Sequence, residues 1–147
     1  MANSMAVIAN NGYYITPLLL KNDSMKKKIH RAKVDEKYFP IVHEGMSKVF
    51  TSGTARSSRI EGIEMCGKTG TVQNPGGKDH AFFVGYAPRE NPVIAMAIVV
   101  ENAGFGSTYA APIFSLLAEQ YITGKINRTQ VLERVESTVT NKNVKER

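Results

Sequence analysis

The sequence predicts an α+β fold: an antiparallel three-stranded meander with flanking helices. Residues 65–73, 80–87 and 93–100 are rich in β-branched and apolar residues, and two short turn-rich connections join them. Apolar residues at helical spacing flank these strands, over 35–50 and 110–123. The chain has 147 residues, 42% hydrophobic and 22% charged, a composition that is globular rather than disordered.

Taken in order, Met1–Ala9 is apolar with small residues and predicts a short helix, stopped by Asn10-Asn11-Gly12. It begins without an N-cap, as a helix cut from a longer parent would. Tyr13–Leu20 is extended, and Pro17 confines it to an edge or irregular strand. Asp35–Phe50 is an amphipathic helix with Phe39, Val42, His43, Met46, Val49 and Phe50 on its apolar stripe. Asp35 and Glu36 suit its N-terminal dipole, and Pro40 sits in its first turn or marks a later start. Asn74-Pro75-Gly76-Gly77 and Pro88–Pro92 are the two turns of the meander. In the third strand both alternating sets are apolar, so helices are expected on both of its faces. Ser107 and Thr108 are candidate N-caps for the helix Ala110–Thr123, whose predicted stripe is Ile113, Leu116, Leu117 and Tyr121 and whose stop is Gly124. Residues 125–147 form a polar tail with a short helix around 129–136, set apart from a unit spanning 1–124.

The formal net charge is +6, and the stretch Lys21–Lys33 carries +5 of it through Lys21, Lys26, Lys27, Lys28, Arg31 and Lys33 against Asp23. A solvated loop or hairpin rim accounts for such a cluster, and it lacks the interleaved aromatics of a single-strand nucleic-acid platform. No nucleic-acid partner is expected. A single cysteine excludes an internal disulfide and a multi-cysteine metal cage. No apolar run approaches the roughly 20 residues of a membrane span, and no basic stretch precedes an apolar one in signal-peptide fashion. His30, His43 and His80 show no metal-ligand spacing, so neither metal nor cofactor is expected. His43 reads as a satisfied helix residue, Cys66 as a packed strand residue, and Asp79-His80 as a pair ordering the turn.

The informative run is Cys66-Gly67-Lys68-Thr69-Gly70-Thr71. Together with Gly62 it matches the formal pattern of a phosphate loop, Gly-x4-Gly-Lys-Thr. A phosphate loop runs from a strand into a helix, whereas Thr71, Val72 and the following turn oppose a helix here. The alternative is a Lys-Thr-Gly strand lining an acyl-transfer site. In a strand Thr69 and Thr71 share one face and Lys68 takes the other. Two hydroxyls on one face can hold a carboxylate, Lys68 supplies positive potential, and Gly70 lets a peptide lie close along the edge. Ser24-Met25-Lys26-Lys27 matches a nucleophilic Ser-x-x-Lys only on paper, because a reactive serine needs its base held in a water-poor pocket.

The residues Gly67-Lys68-Thr69-Gly70-Thr71, then Asp79-His80-Ala81-Phe82-Phe83-Val84-Gly85-Tyr86-Ala87-Pro88, then Asn91-Pro92, closely resemble the C-terminal part of the transpeptidase domain of class B penicillin-binding proteins. Ser52-Gly53-Thr54-Ala55, Ala110-Ala111-Pro112 and Met1–Pro17 fit the same pattern, so the resemblance runs through about residues 1–124. The Asp-His-Ala-x-Phe strand is most similar to the elongation-type, penicillin-binding protein 2-like subfamily. The resemblance implies the penicillin-binding protein and serine β-lactamase transpeptidase fold. It also implies a periplasmic D,D-transpeptidase, anchored in the inner membrane and partnered there by membrane-embedded elongation machinery. Such an enzyme cross-links peptidoglycan stem peptides through an acyl-serine intermediate and is acylated by β-lactam antibiotics. Lys68 would aid proton transfer as a catalytic residue, and the Thr71 backbone N–H would form half of the oxyanion hole. Thr69, Gly70 and Thr71 would bind the peptide or β-lactam. Of the family's three motifs only Lys-Thr-Gly is present; Ser-x-Asn does not occur in the chain. The expectation is therefore a C-terminal portion that is inactive alone, with the third strand exposed as an edge for a partner strand or a homodimer. A β-lactam-sensing receptor domain and an oxacillinase-type β-lactamase are the alternatives.

Overall fold

The computed structural model describes residues 1–18 and 28–143. Most of the basic segment, and Ser24 with it, lies outside the described residues.

Helix α1 (Ala2–Ala9) ends where Asn10 and Gly12 donate back to Ala6 and Val7. The chain then enters β1 (Tyr13–Ile15), which pairs antiparallel with β2 (Ile29–Arg31) in a two-stranded ribbon. Tyr14 stacks on His30, and the Arg31 guanidinium lies over the Tyr13 ring. The regular strand ends at Ile15, short of the predicted 13–20, whose last two residues lie outside the described residues.

The predicted helix 35–50 is divided in two. Asp35 caps a 3-10 turn over Glu36–Tyr38 by accepting from the Lys37 N–H, and α2 (Phe39–Thr51) follows with Pro40 in its first turn. Proline fits there because its missing N–H has no intrahelical acceptor to serve. Phe39 and Phe50 are buried on the expected stripe, whereas Val42 is exposed.

The main sheet has the order β3-β4-β5, with β3 (Cys66–Val72), β4 (His80–Ala87) and β5 (Ile94–Val100) antiparallel, as the meander predicts. The register puts Gly67, Thr69 and Thr71 on one face with Phe83, Gly85, Met96 and Ile98, and Cys66, Lys68 and Gly70 on the other with Tyr86 and Ala95. Helix α3 (Ala110–Thr123) packs on the first face and α1 on the second, so the doubly apolar β5 is covered from both sides along part of its length. Val99 remains 57% exposed.

Two expectations about α3 need correction. Its N-cap is Tyr109, without a side-chain cap bond, and neither Ser107 nor Thr108 serves. Its buried apolar residues are Ala110, Ala111, Phe114 and Ala118 together with the predicted Leu116, while Leu117 and Tyr121 of the predicted stripe point outward. Small residues let the helix axis approach the sheet and leave room for one large anchor, Phe114, so alanine spacing and not the larger side chains marks the core face. Gly124 closes the helix in the left-handed conformation at φ 77°, which an L residue resists.

The tail is more structured than its polarity suggests. Helix α4 (Thr129–Asn143) is preceded by Arg128, whose guanidinium pairs at 2.9 Å with the buried Glu119 of α3. The same guanidinium donates to Ser115 Oγ and to the Ser58 and Arg59 carbonyls. One arginine therefore ties the start of α4 to α3 and to the 3-10 turn Arg56–Ser58, and α4 packs on α3.

Candidate active-site wall

Strand β3 is an edge of the sheet among the described residues, and all four candidate residues lie on it. Lys68 is exposed, and its ammonium donates to the Thr69 carbonyl at 2.9 Å. Thr69 and Thr71 share the opposite face, as period two requires. No helix follows Gly67-Lys68-Thr69, which rules out the phosphate-loop pattern; Gly62 instead takes a turn at φ 75°.

Sequence reasoning missed the role of Thr54. Its hydroxyl lies 3.0 Å from that of Thr69, so the turn after α2 fixes the Thr69 rotamer from below. The turn itself is held by Gly53 and Ala55, which donate to Lys48 and Val49. The signal was present in Ser52-Gly53-Thr54-Ala55, a hydroxyl-bearing helix stop, but nothing in its spacing names Thr69 as the partner.

The other end of β3 is ordered as Asp79 and His80 predict. Asp79 accepts from the Asn74 N–H, His80 Nδ1 accepts from the Asn102 N–H, and Asn74 Nδ2 donates to Asn102 Oδ1. The Gly104 N–H donates to the Asp79 carbonyl at 2.7 Å. These bonds bind the β3–β4 turn to the β5–α3 loop and draw Gly106 against the strands. A Cβ at 106 would sit 2.7 Å from the Gly70 carbonyl oxygen and closer still to that of Phe82, so only glycine lets the loop cross here.

Behind β3, Cys66 and Tyr86 are buried and paired in register. The Tyr86 hydroxyl meets His43 Nδ1, His43 Nε2 lies 2.8 Å from Asn11 Oδ1, and Cys66 Sγ donates to the His43 carbonyl. Asn11 Oδ1 only accepts, so Nε2 carries the proton and Nδ1 accepts from Tyr86. Burial pushes the Cys66 thiol and the Tyr86 phenol upward in pKa, consistent with packed and unreactive groups. Burial, with the Arg89 cation second, lowers His43 below its ordinary 6.5, against a smaller opposing effect of Glu90. The folded state thus prefers neutral His43, and the unfolded chain binds more protons as pH falls through about 6.5. Stability should therefore fall between about pH 7.5 and 5.5, and His43→Gln should flatten that profile. Unfolding midpoints across this range check it; parallel profiles for the two proteins would refute it.

Among the described residues no group of His, Cys, Asp and Glu has the disposition of a metal site, and no helix is long and apolar enough to cross a membrane.

A sheet with helices on both faces and Lys-Thr-Gly on its edge strand invites comparison with known acyl-transfer folds. The family model described as the penicillin binding protein transpeptidase domain matches residues 1–119. The chain belongs to this family. Among curated relatives, peptidoglycan D,D-transpeptidase MrdA of Acinetobacter baumannii is 32% identical over 142 aligned positions, covering 78% of this chain and 21% of the relative. Among solved structures, penicillin-binding protein 2 of Pseudomonas aeruginosa superposes with a TM-score of 0.66 at 30% identity, over 87% of this chain and 30% of that one. Penicillin-binding protein A of Mycobacterium tuberculosis, solved as an imipenem acyl-enzyme complex, gives 0.65 at 27% identity, over 79% of this chain and 29% of that one. The chain spans between about a seventh and a quarter of the length of the curated relatives it matches.

Proposed function

We propose that this chain supplies one wall of the active site of a peptidoglycan D,D-transpeptidase of the elongation type. The nucleophilic serine and the Ser-x-Asn motif would come from other segments of the same protein. The observation that carries the reading is the geometry of β3: an edge strand with Lys68 on one face, Thr69 and Thr71 on the other, and Thr69 pinned by Thr54.

In this reading a stem peptide ending in a carboxylate lies along the β3 edge. The Thr69 and Thr71 hydroxyls donate to that carboxylate, and Lys68 gives the local field that favours it. Gly70 keeps the edge free of side-chain bulk. The Thr71 backbone N–H donates to the oxyanion that develops as a serine attacks the peptide carbonyl, and Lys68 assists proton transfer at that serine. The D-alanine leaving group departs, an acyl-serine forms, and an amine of a second stem peptide takes the acyl group. β-Lactams follow the first half of this path. The enzyme would be periplasmic, anchored in the inner membrane and partnered there by elongation machinery.

Fluorescent penicillin tests the assignment. Covalent labelling is expected for a protein that joins this chain to a Ser-x-x-Lys and a Ser-x-Asn, and not for the chain alone. Labelling of any serine in the chain alone would overturn it. Rapid turnover of the antibiotic by the complete protein would favour a β-lactamase instead.

The open side of β5 completes the proposal. Val99 is 57% exposed on β5, a strand that is terminal in the sheet among the described residues. Such an edge pairs with another strand, from the rest of the protein or, in the isolated chain, from a second copy. Sedimentation equilibrium of the isolated chain should show a dimer; a monodisperse monomer would refute the pairing.

A further inference from the structure

Helix α2 is bonded to the Lys-Thr-Gly strand at two points. Past its C-terminal end, the Thr54 hydroxyl meets that of Thr69 at 3.0 Å. In its first half stands His43, half-buried, whose polar atoms each go to a different element. Nδ1 accepts from Tyr86 of β4, Nε2 donates to Asn11 in the turn after α1, and the backbone carbonyl accepts from the thiol of Cys66, the first residue of β3. Cys66 and Tyr86 are cross-strand partners, so His43 grips β3 and β4 at one place. From His43 to the end of α2 is about 12 Å of helix, and from Cys66 to Thr69 about 10 Å of strand. The two grips span nearly equal lengths of the two elements and bracket Lys68.

We propose that His43 is a positioning residue for Thr69: its three bonds fix the seating of α2, and α2 sets the Thr54 hydroxyl that orients the hydroxyl of Thr69. A hydroxyl has one proton to give, so Thr69 donates to a ligand carboxylate only while Thr54 donates to Thr69. The seating has two states. Neutral His43 accepts from Tyr86, whereas an imidazolium only donates, so protonation reverses that bond and shifts the helix. Around His43 stand Tyr86, Arg89 and Glu90 from β4 and the turn after it, Cys66 from β3, and the neutral Asn11 from the α1 side. Glu44 of α2 is paired with Arg89 at 3.0 Å. Burial, and next Arg89, hold His43 below 6.5 against Glu90, so the accepting form prevails near neutral pH. The consequence for acyl transfer rests on the transpeptidase reading; the positioning of Thr69 does not.

Methyl resonances of the threonine-labelled protein, followed from about pH 8 to about pH 5, read the setting of Thr69 without any ligand. The Thr69 methyl should shift with the same midpoint as the His43 ring. His43→Gln, which accepts and donates without titrating, should abolish that shift. So should Thr54→Val, which keeps the shape of threonine without its hydroxyl, while His43 still titrates. A Thr69 signal that is flat across the range, or a shift that survives either variant, would overturn the proposal. In the complete protein, Tyr86→Phe and His43→Leu should each slow penicillin acylation about fivefold, the worth of one hydrogen bond, and His43→Gln should keep the parent rate. The rate is counted per labelled serine, so a loss of folded protein does not enter it. Tyr86→Phe deletes a single oxygen and carries the test if His43→Leu does not fold; a parent-like rate in that variant would also overturn the proposal. A Thr69 shift that follows His43 in a protein that penicillin never labels removes the transpeptidase reading and keeps the positioning. Labelling with a flat Thr69 signal does the reverse.

Discussion

Replacing Lys68 with alanine should slow acylation by penicillin about 10²- to 10³-fold in the complete protein, the scale at which single preorganised electrostatic groups act. The side chain is exposed on an edge strand, and its hydrogen bond to the Thr69 carbonyl is local. It therefore contributes little to the fold, and the variant should melt within a degree or two of the parent. Separating those two readouts is the point of the experiment. An ammonium beside a developing negative charge is worth most in the transition state, so the acylation rate should fall more than the affinity for the intact antibiotic. Lys68→Arg should restore only part of the rate, because a planar guanidinium keeps the charge but not the compact donor geometry. Acylation within threefold of the parent in Lys68→Ala would remove Lys68 from the catalytic assignment. A large drop in melting temperature would instead make it a structural residue.

How much of this was legible in the sequence depended on whether a feature is local. The β3 and β4 strands are legible within a residue at each end, because short runs of β-branched and aromatic residues bounded by Asn-Pro-Gly-Gly and Pro are decided by neighbours along the chain. The placement of Thr69 and Thr71 opposite Lys68 followed from period two alone. The Thr54–Thr69 bond was not legible, since it joins residues 15 apart through the packing of α2 on β3. Nor, Leu116 apart, was the buried face of α3. Hydrophobicity selected Leu117 and Tyr121, but the distance between helix and sheet is set by Ala110, Ala111 and Ala118, whose small size is invisible to a stripe that counts large apolar residues. The docking of the tail was hidden for a similar reason: Glu119 and Arg128 look like surface charges until the fold buries one against the other.

Phe114 shows what that alanine face is for, and Phe114→Ala should be the most destabilising single change in the described core, at about 3–5 kcal/mol. The ring is fully buried, with centroids 4.9 Å from Phe83 and 6.1 Å from Phe50, so it joins α3 to both β4 and α2. It rests above Gly85, where a Cβ would come within 2.9 Å of Phe114 Cζ. Flanking alanines cannot collapse into the space, because they have no side chain beyond Cβ to move. The cavity term should therefore be near its upper range, and Phe114→Leu should recover about half of the loss. Denaturant midpoints at unchanged slope are the measurement; a shift worth less than about 1.5 kcal/mol would mean that α3 is held mainly by other contacts, the Arg128–Glu119 pair among them. The reciprocal substitution distinguishes packing from simple hydrophobic loss. Gly85→Ala should destabilise as well, and shortening Phe114 to leucine should not rescue it, because the added methyl also meets the Cys66 carbonyl oxygen. Gly85 pairs with Gly67, the residue just before Lys68 of the Lys-Thr-Gly run. Pressure on that pair displaces β3 itself, so Gly85→Ala should lower penicillin acylation even at temperatures where the protein remains folded, an effect that Phe114→Leu should not share.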